Sequence, residues 1–262
     1  MERADTIDDV VAILEGIEAA ERRRGGALAL FPAMYRRVTL RVKSGIDRGE
    51  FDDGPRMDVL DAVFANRYLD AYFAHRRGSP VTESWKVAFE GAESRSSSIL
   101  QNLFVQMNAH ILLDLGAAVA EVVPKEALPG FEKDFLHIQT CLVELLDPVQ
   151  DVVDRFSPFM ALVDVLGGRS DEHFASFGIH AARALAWRRA HQLAASPSTS
   201  RDEVVRRHDH ETALVGRELL APPFPLGPCL RVVRARERAP LANVASALGR
   251  VEPRPSLDGR SA

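Results

Sequence analysis

Up to about residue 221, apolar residues recur at steps of three and four along nearly the whole chain, and alternating β-branched runs bounded by turn residues are nearly absent. The pattern predicts an all-α fold, a single bundle of about eight helices. Thr6 with Asp8 and Asp9 reads as a capped helix start, and Val10, Val11, Leu14 and Ile17 carry that helix to Arg23, before Gly25 and Gly26. A second helix runs from Phe31 to Asp47 and stops at a turn rich in Gly, Asp and Pro (Gly49 to Pro55). Further helices are expected over 56–77, 80–91 and 96–123. After Pro129 and Gly130 a long helix reaches Phe156, with Pro148 expected to kink it. A short helix from Ser157 and Pro158 to Gly167 and Gly168, and two longer ones over 170–195 and 200–220, complete a helical domain over 1–221. From Pro222 the chain is broken by Pro223, Pro225 and Pro228 and is rich in Arg and Ser, so 222–262 is expected to be an irregular or disordered tail, holding at most one strand or helical turn.

Composition narrows the partners. With 262 residues, 46% of them hydrophobic and 27% charged, the chain is long enough to bury a core. Its formal charge of -4 gives no global footprint for nucleic acid or an anionic membrane. Two cysteines, Cys141 and Cys229, do not make a disulfide framework or a cysteine zinc site. No apolar run approaches the roughly 20 residues of a membrane span, and the acidic start to Asp9 is unlike a signal peptide, so a cytoplasmic location without a membrane span is expected. Phosphate loops, GxGxxG, GxSxG, HExxH and paired CxxC motifs are absent, which weakens nucleotide, nicotinamide and α/β-hydrolase chemistry.

The fifth helix carries the chemistry. From Ile99 to Ala120 it has one formal charge, Asp114, so it must be buried on most sides. On a helical wheel Asn102, Gln106, His110 and Asp114 form one i, i+4 row, flanked by Leu103 and Ala117. A buried carboxylate needs a partner, and His110 is one turn away. In the next long helix Asp134, His137, Cys141 and Glu144 share a face, giving a second pair of His and carboxylate. Such pairs on converging helices suit a divalent zinc, iron or manganese, with His110, Asp114, Asp134 and His137 as ligands. The plainer alternative is a satisfied polar network between packed helices, with Cys141 a small core residue. In the third helix Asp61, Arg67 and Tyr68 could wall a substrate site or form a structural ion pair. His173, His180 and His191 read as borders of an aromatic stripe, and His208 and His210 as a solvated face.

Several motifs occur in order: FPAMYRRVT (31–39), LDAVFANRYLDAY (60–72), Trp85, MNAHILLDLG (107–116), FEKDFLHIQ (131–139) and ARALAWRRA (182–190). Over about 28–193 they resemble a family of bacterial all-helical proteins classed as a domain of unknown function. That resemblance implies a single helical unit but no activity. A looser one is to the zinc-dependent phospholipase C and P1-type nuclease group, where a His-x3-Asp pair on a helix ligates zinc; here it matches His110 and Asp114 alone.

Two enzymatic expectations follow, both acting on a small molecule. In one, His110, Asp114, Asp134 and His137 hold a metal that activates water for hydrolysis. In the other, no metal is involved: a histidine oriented by a carboxylate moves protons on a mostly apolar molecule, as in a cyclase, dehydratase or isomerase, with Asp61, Arg67, Tyr68 and Asn108 binding the substrate. A non-catalytic ligand-binding protein and a purely structural one are the remaining alternatives. Oligomeric state is not legible in the sequence.

Overall fold

The computed structural model describes residues 3–158 and 171–254, with the backbone alone over 171–177 and at 179. Thr6 starts the first helix with a reciprocal capping box: its hydroxyl accepts the Asp9 N–H while the Asp9 carboxylate accepts the Thr6 N–H. The helices are α1 (Ile7–Arg24), α2 (Leu30–Asp47), α3 (Gly54–Arg76), α4 (Glu83–Glu93), α5 (Ile99–Val122), α6 (Leu128–Phe156), α7 (Asp171–Ala195), α8 (Ser198–Leu220), α9 (Leu226–Arg236) and α10 (Leu241–Leu248). Among the described residues there is no strand. The short helix expected from Ser157 and Pro158 to Gly167 and Gly168 lies, from residue 159 on, outside them. α6 runs through the buried Pro148 without ending, so the proline interrupts one hydrogen bond and not the element.

Helix starts leave N–H groups without intrahelical partners, and distant carboxylates fill them repeatedly. Asp58 of α3 accepts the Ile7 N–H at the start of α1. Asp209 of α8 accepts the N–H groups of Glu83 and Ser84 at the start of α4. Glu237, following α9, accepts the Ile99 N–H at the start of α5. Asp134 of α6 accepts the N–H groups of Asp52 and Asp53 just before α3, at 2.7 and 2.9 Å. These ties add specific links between helices to the packing of their apolar faces.

The expected irregular tail is corrected through residue 254. α9 and α10 form, and Val233, Val244, Ala245 and Leu248 are buried in the same core as Val10, Leu14 and Phe31. The prolines permit this because they sit at helix starts: Pro225 and Pro240 are N-caps and Pro228 lies in the first turn of α9, where a missing N–H costs no helical bond. Arg36 and Arg37 of α2 bind the carbonyls of Gly249 and Val251.

α5 crosses the middle of the bundle. It is the one helix among the described residues long and apolar enough to cross a membrane, which corrects the expectation that no apolar stretch approaches such a span, and most of it is buried inside the fold. Residues Ala109–Leu115 take the wider π-helical pattern, which shifts carbonyls out of register with the α-helical ladder. The Leu112 carbonyl accepts from Arg189 of α7 at 2.6 Å. Just beyond, α7 approaches so closely that a Cβ at Gly116 would lie 2.7 Å from the Ala186 carbonyl oxygen.

Candidate functional site

His110 lies within the π-helical segment, 3% exposed. α2 contributes Phe31 and Tyr35, α3 contributes Phe64 and Tyr68, and α4 contributes Trp85 to a cage of rings around it. Phe64 stacks on the imidazole with centroids 3.7 Å apart and planes 8° from parallel. On the polar side, Nδ1 of His110 is 3.1 Å from Asp114 Oδ2, which also accepts the Trp85 Nε1–H at 3.0 Å. A carboxylate oxygen only accepts, so it fixes the imidazole proton on Nδ1 and leaves the lone pair on Nε2. That Nε2 is buried without a hydrogen-bond partner. Burial holds His110 below the ordinary histidine pKa, against the opposite pull of Asp114, which keeps the ring neutral.

The imidazole lines a cavity of about 70 Å³ between α2, α3, α5, α6 and α7. Asp61 shares the wall, its Oδ2 buried and unpartnered. Burial, reinforced by the nearby Asp58 charge, pushes its carboxyl up to about 8. Tyr35, with a buried and unpartnered hydroxyl, lies on the same wall and is raised well above the ordinary phenol value, mainly by burial. Arg183 of α7 is the cationic member: it donates to the Phe135 carbonyl, lies 4.4 Å from the Phe135 ring centroid, and has been pulled down to about 9 by burial. The remaining wall is apolar, with Met34, Met57 and Met107 among its members. Its polar groups therefore have unused hydrogen-bonding capacity in an apolar, aromatic setting.

The residues singled out in the sequence separate into three places. Asp61 and His110 line the cavity, Asp114 orients His110, and Tyr68 belongs to the ring cage, its hydroxyl buried and unpartnered. Arg67 and Asn108 bind elsewhere: Arg67 pairs with Glu121 at 2.7 Å on a half-exposed face, and Asn108 donates to the Thr212 carbonyl of α8. The second expected pair is not a pair. Asp134 spends both oxygens on the turn before α3, and His137 turns instead to Glu50, 3.2 Å away. Neither shares a hydrogen bond with His110 or Asp114.

The remaining row residues, Asn102 and Gln106, are buried but bond back to carbonyls of or just before their own helix, leaving Asn102 Oδ1 and Gln106 Oε1 unpartnered. His208, expected on a solvated face, is buried against Gln192, and burial pulls it down to about 4. His210 is exposed beside Glu83. His180 and His191 are exposed, and the side chain of His173 is outside the described residues.

Around His137 a separate cluster forms. Glu50, His137 and Cys141 each offer one ligand atom, all within 4.8 Å of one another. Glu50 is also held by Arg41 at 2.9 Å and by Arg48, and these contacts overcome its desolvation and hold its carboxyl down to about 2. Burial pushes the Cys141 thiol up to about 11. Glu50 and Arg183 were not signalled by spacing: the first lies in a turn, and the second reads as one of many helical arginines.

No curated protein and no solved structure matches the chain, so the looser resemblance to the phospholipase C and P1-type nuclease group finds no support. The model of a family described as a family of unknown function (DUF5995) matches residues 7–222, from the start of α1 to just past α8, and so takes in every residue of the His110 cavity. The chain belongs to this family of unknown function.

Proposed function

We propose that the protein is a metal-free acid/base enzyme that shifts a proton on a small, mostly apolar molecule bearing a carbonyl oxygen, an isomerase or dehydratase type of reaction. The observation that carries this reading is the buried, unpartnered Nε2 of His110, with Asp114 on the other ring nitrogen and the unpartnered carboxyl of Asp61 in the same cavity. In this reading Nε2 takes a proton from the carbon next to the carbonyl, and Asp114 stabilises the imidazolium that forms. Asp61, protonated at neutral pH, donates its proton toward the oxygen, and the buried Arg183 guanidinium favours the negative charge developing there. Returning the Nε2 proton to a different carbon, while the oxygen gives its proton back to Asp61, completes an isomerisation; departure of a hydroxyl on the next carbon as water, taking the Nε2 proton, with Asp61 reprotonated in the same way, completes a dehydration.

Size limits the substrate. A cavity near 150 Å³ accepts a benzene ring, so about 70 Å³ fits a smaller molecule, or a larger one once the methionines Met34, Met57 and Met107 rearrange. The test is proton exchange: small ketones and enones are incubated with the protein in D2O and carbon-bound deuterium is followed by NMR. Exchange is expected with the wild type in the presence of a chelator, and its loss in His110→Gln. Exchange that survives His110→Gln, or that vanishes with the chelator, contradicts the proposal.

A second reading keeps a divalent metal, favoured by the close approach of the Glu50, His137 and Cys141 ligand atoms, a donor set that suits zinc better than iron or manganese. It competes with Arg41, whose guanidinium already occupies the Glu50 oxygen. Elemental analysis of untagged protein decides it: zinc at one per chain, lost in His137→Ala and retained in His110→Ala, is the supporting result, and metal-free protein the contrary one.

A further inference from the structure

A larger cavity of about 360 Å³ lies where the end of α1, the end of α3, the turn after α4 and the start of α5 meet α9 and α10. It is of ligand size. Four arginines line it, Arg24, Arg76, Arg95 and Arg234, against three glutamates, Glu21, Glu93 and Glu237. The glutamates are already engaged. Glu21, fully buried, accepts from Tyr72 at 2.5 Å, from Arg24 at 2.6 Å and from Arg76. Glu93 is bound by His75 and Arg76, and Glu237 by the Ile99 N–H and the Ser157 hydroxyl.

The arginines are not equally spent. Arg76 is consumed by Glu21 and Glu93, and Arg234 binds the Arg95 carbonyl through Nε. The Arg95 guanidinium has no partner among the described residues, and Arg24 uses one nitrogen only. Donors thus outnumber acceptors on the wall. On the opposite account stands one buried acceptor: Asn102, 3% exposed, donates both its N–H groups to the carbonyls of Ser97 and Ser98 and has no donor for Oδ1. Free guanidinium forks call for a carboxylate or phosphate, and the orphan amide oxygen calls for a hydroxyl.

We infer that this cavity binds a small hydroxylated organic anion, with Arg95 and Arg24 on its carboxylate or phosphate and Asn102 Oδ1 accepting from its hydroxyl. The site is separate from the His110 cavity, with which it shares no lining residue. Its failure would leave the proton-transfer reading untouched.

The experiment is calorimetric titration of the full chain with glycerol phosphate, glycerate and propyl phosphate. Saturable binding of one equivalent is expected for glycerol phosphate or glycerate, the tighter of the two naming the anionic group. Propyl phosphate, which lacks the hydroxyls, is expected to bind at least about tenfold more weakly, the usual scale for one hydrogen bond to a buried acceptor. Arg95 has a φ of 56°, a conformation that glycine adopts freely, so Arg95→Gly removes the guanidinium without disturbing the turn. It is expected to weaken binding by at least about tenfold, while His110→Gln leaves binding unchanged. No saturable binding at millimolar concentration, equal affinity for propyl phosphate, or unchanged affinity in Arg95→Gly would each overturn the assignment.

Discussion

At His110 the imidazole is enclosed by five aromatic side chains, its Nδ1 hydrogen bonded to Asp114 and its Nε2 left with nothing. At His137 the ring is part exposed, stands edge-on to Phe51, and faces a carboxylate that two arginines already hold. Both histidines lie on apolar helices with an acid about one turn away, yet the local chemistry differs. Around His137 the Glu50 charge is already matched by Arg41 and Arg48, as in a structural ion cluster. Around His110 the fold retains unpaired polar groups in its interior, each at a cost of about 1–3 kcal/mol. What separates a candidate site from a structural pair is the unused capacity left after packing, not the residue types that the helix brings together.

The contrast breaks first at Asp114. Asp114→Ala strands both the Trp85 and the His110 donors in the core and is expected to lower stability by about 3–5 kcal/mol, read by chemical denaturation; a loss under about 1 kcal/mol would equate the His110 pair with a surface pair.

Asp61 comes next, through pH. Its folded-state pKa is raised to about 8, so the folded protein keeps a proton that the unfolded chain releases near 4, and stability falls as pH climbs between those values. Asp61→Asn removes that dependence. Its stability relative to the wild type is expected to rise by up to roughly 5 kcal/mol from pH 4 to pH 8, and a difference independent of pH would show that Asp61 is ionised in the fold.

Smaller still is Asp134→Ala, which frees the Asp52 and Asp53 N–H groups and is expected to cost about 1–3 kcal/mol by the same denaturation measurement. A smaller loss would remove Asp134 from the list of structural ties. His137→Ala, breaking a partly solvated pair, is expected to cost less than about 1 kcal/mol; a larger loss would mean the two histidines differ less than their surroundings imply.

Much of the fold was legible because helix periodicity and stop residues act locally. Thr6, Gly25 and Pro124 mark helix boundaries within a few residues, and the near absence of charge in α5 announces its burial. The segment after Pro222 was misread because proline was taken as a breaker, whereas Pro225 and Pro240 stand at N-caps. The His110–Asp114 contact was legible as a one-turn spacing and survives the π-helical segment. What spacing could not show is which element answers each side chain across the bundle. Asp134 looks paired with His137 along one helix, but unfilled N–H groups ahead of α3 claim it first. Arg183 and Glu50 matter through tertiary position alone, and nothing in their sequence neighbourhood distinguishes them.

The central claim is the state of His110, and it is open to direct measurement by two-bond proton–nitrogen NMR of the imidazole rings, assigned with His110→Gln. At neutral pH the expected spectrum shows a neutral ring protonated on Nδ1 with a bare Nε2, which gains a proton only at lower pH than an ordinary histidine does. An imidazolium at neutral pH, or a neutral ring carrying its proton on Nε2, would contradict the account.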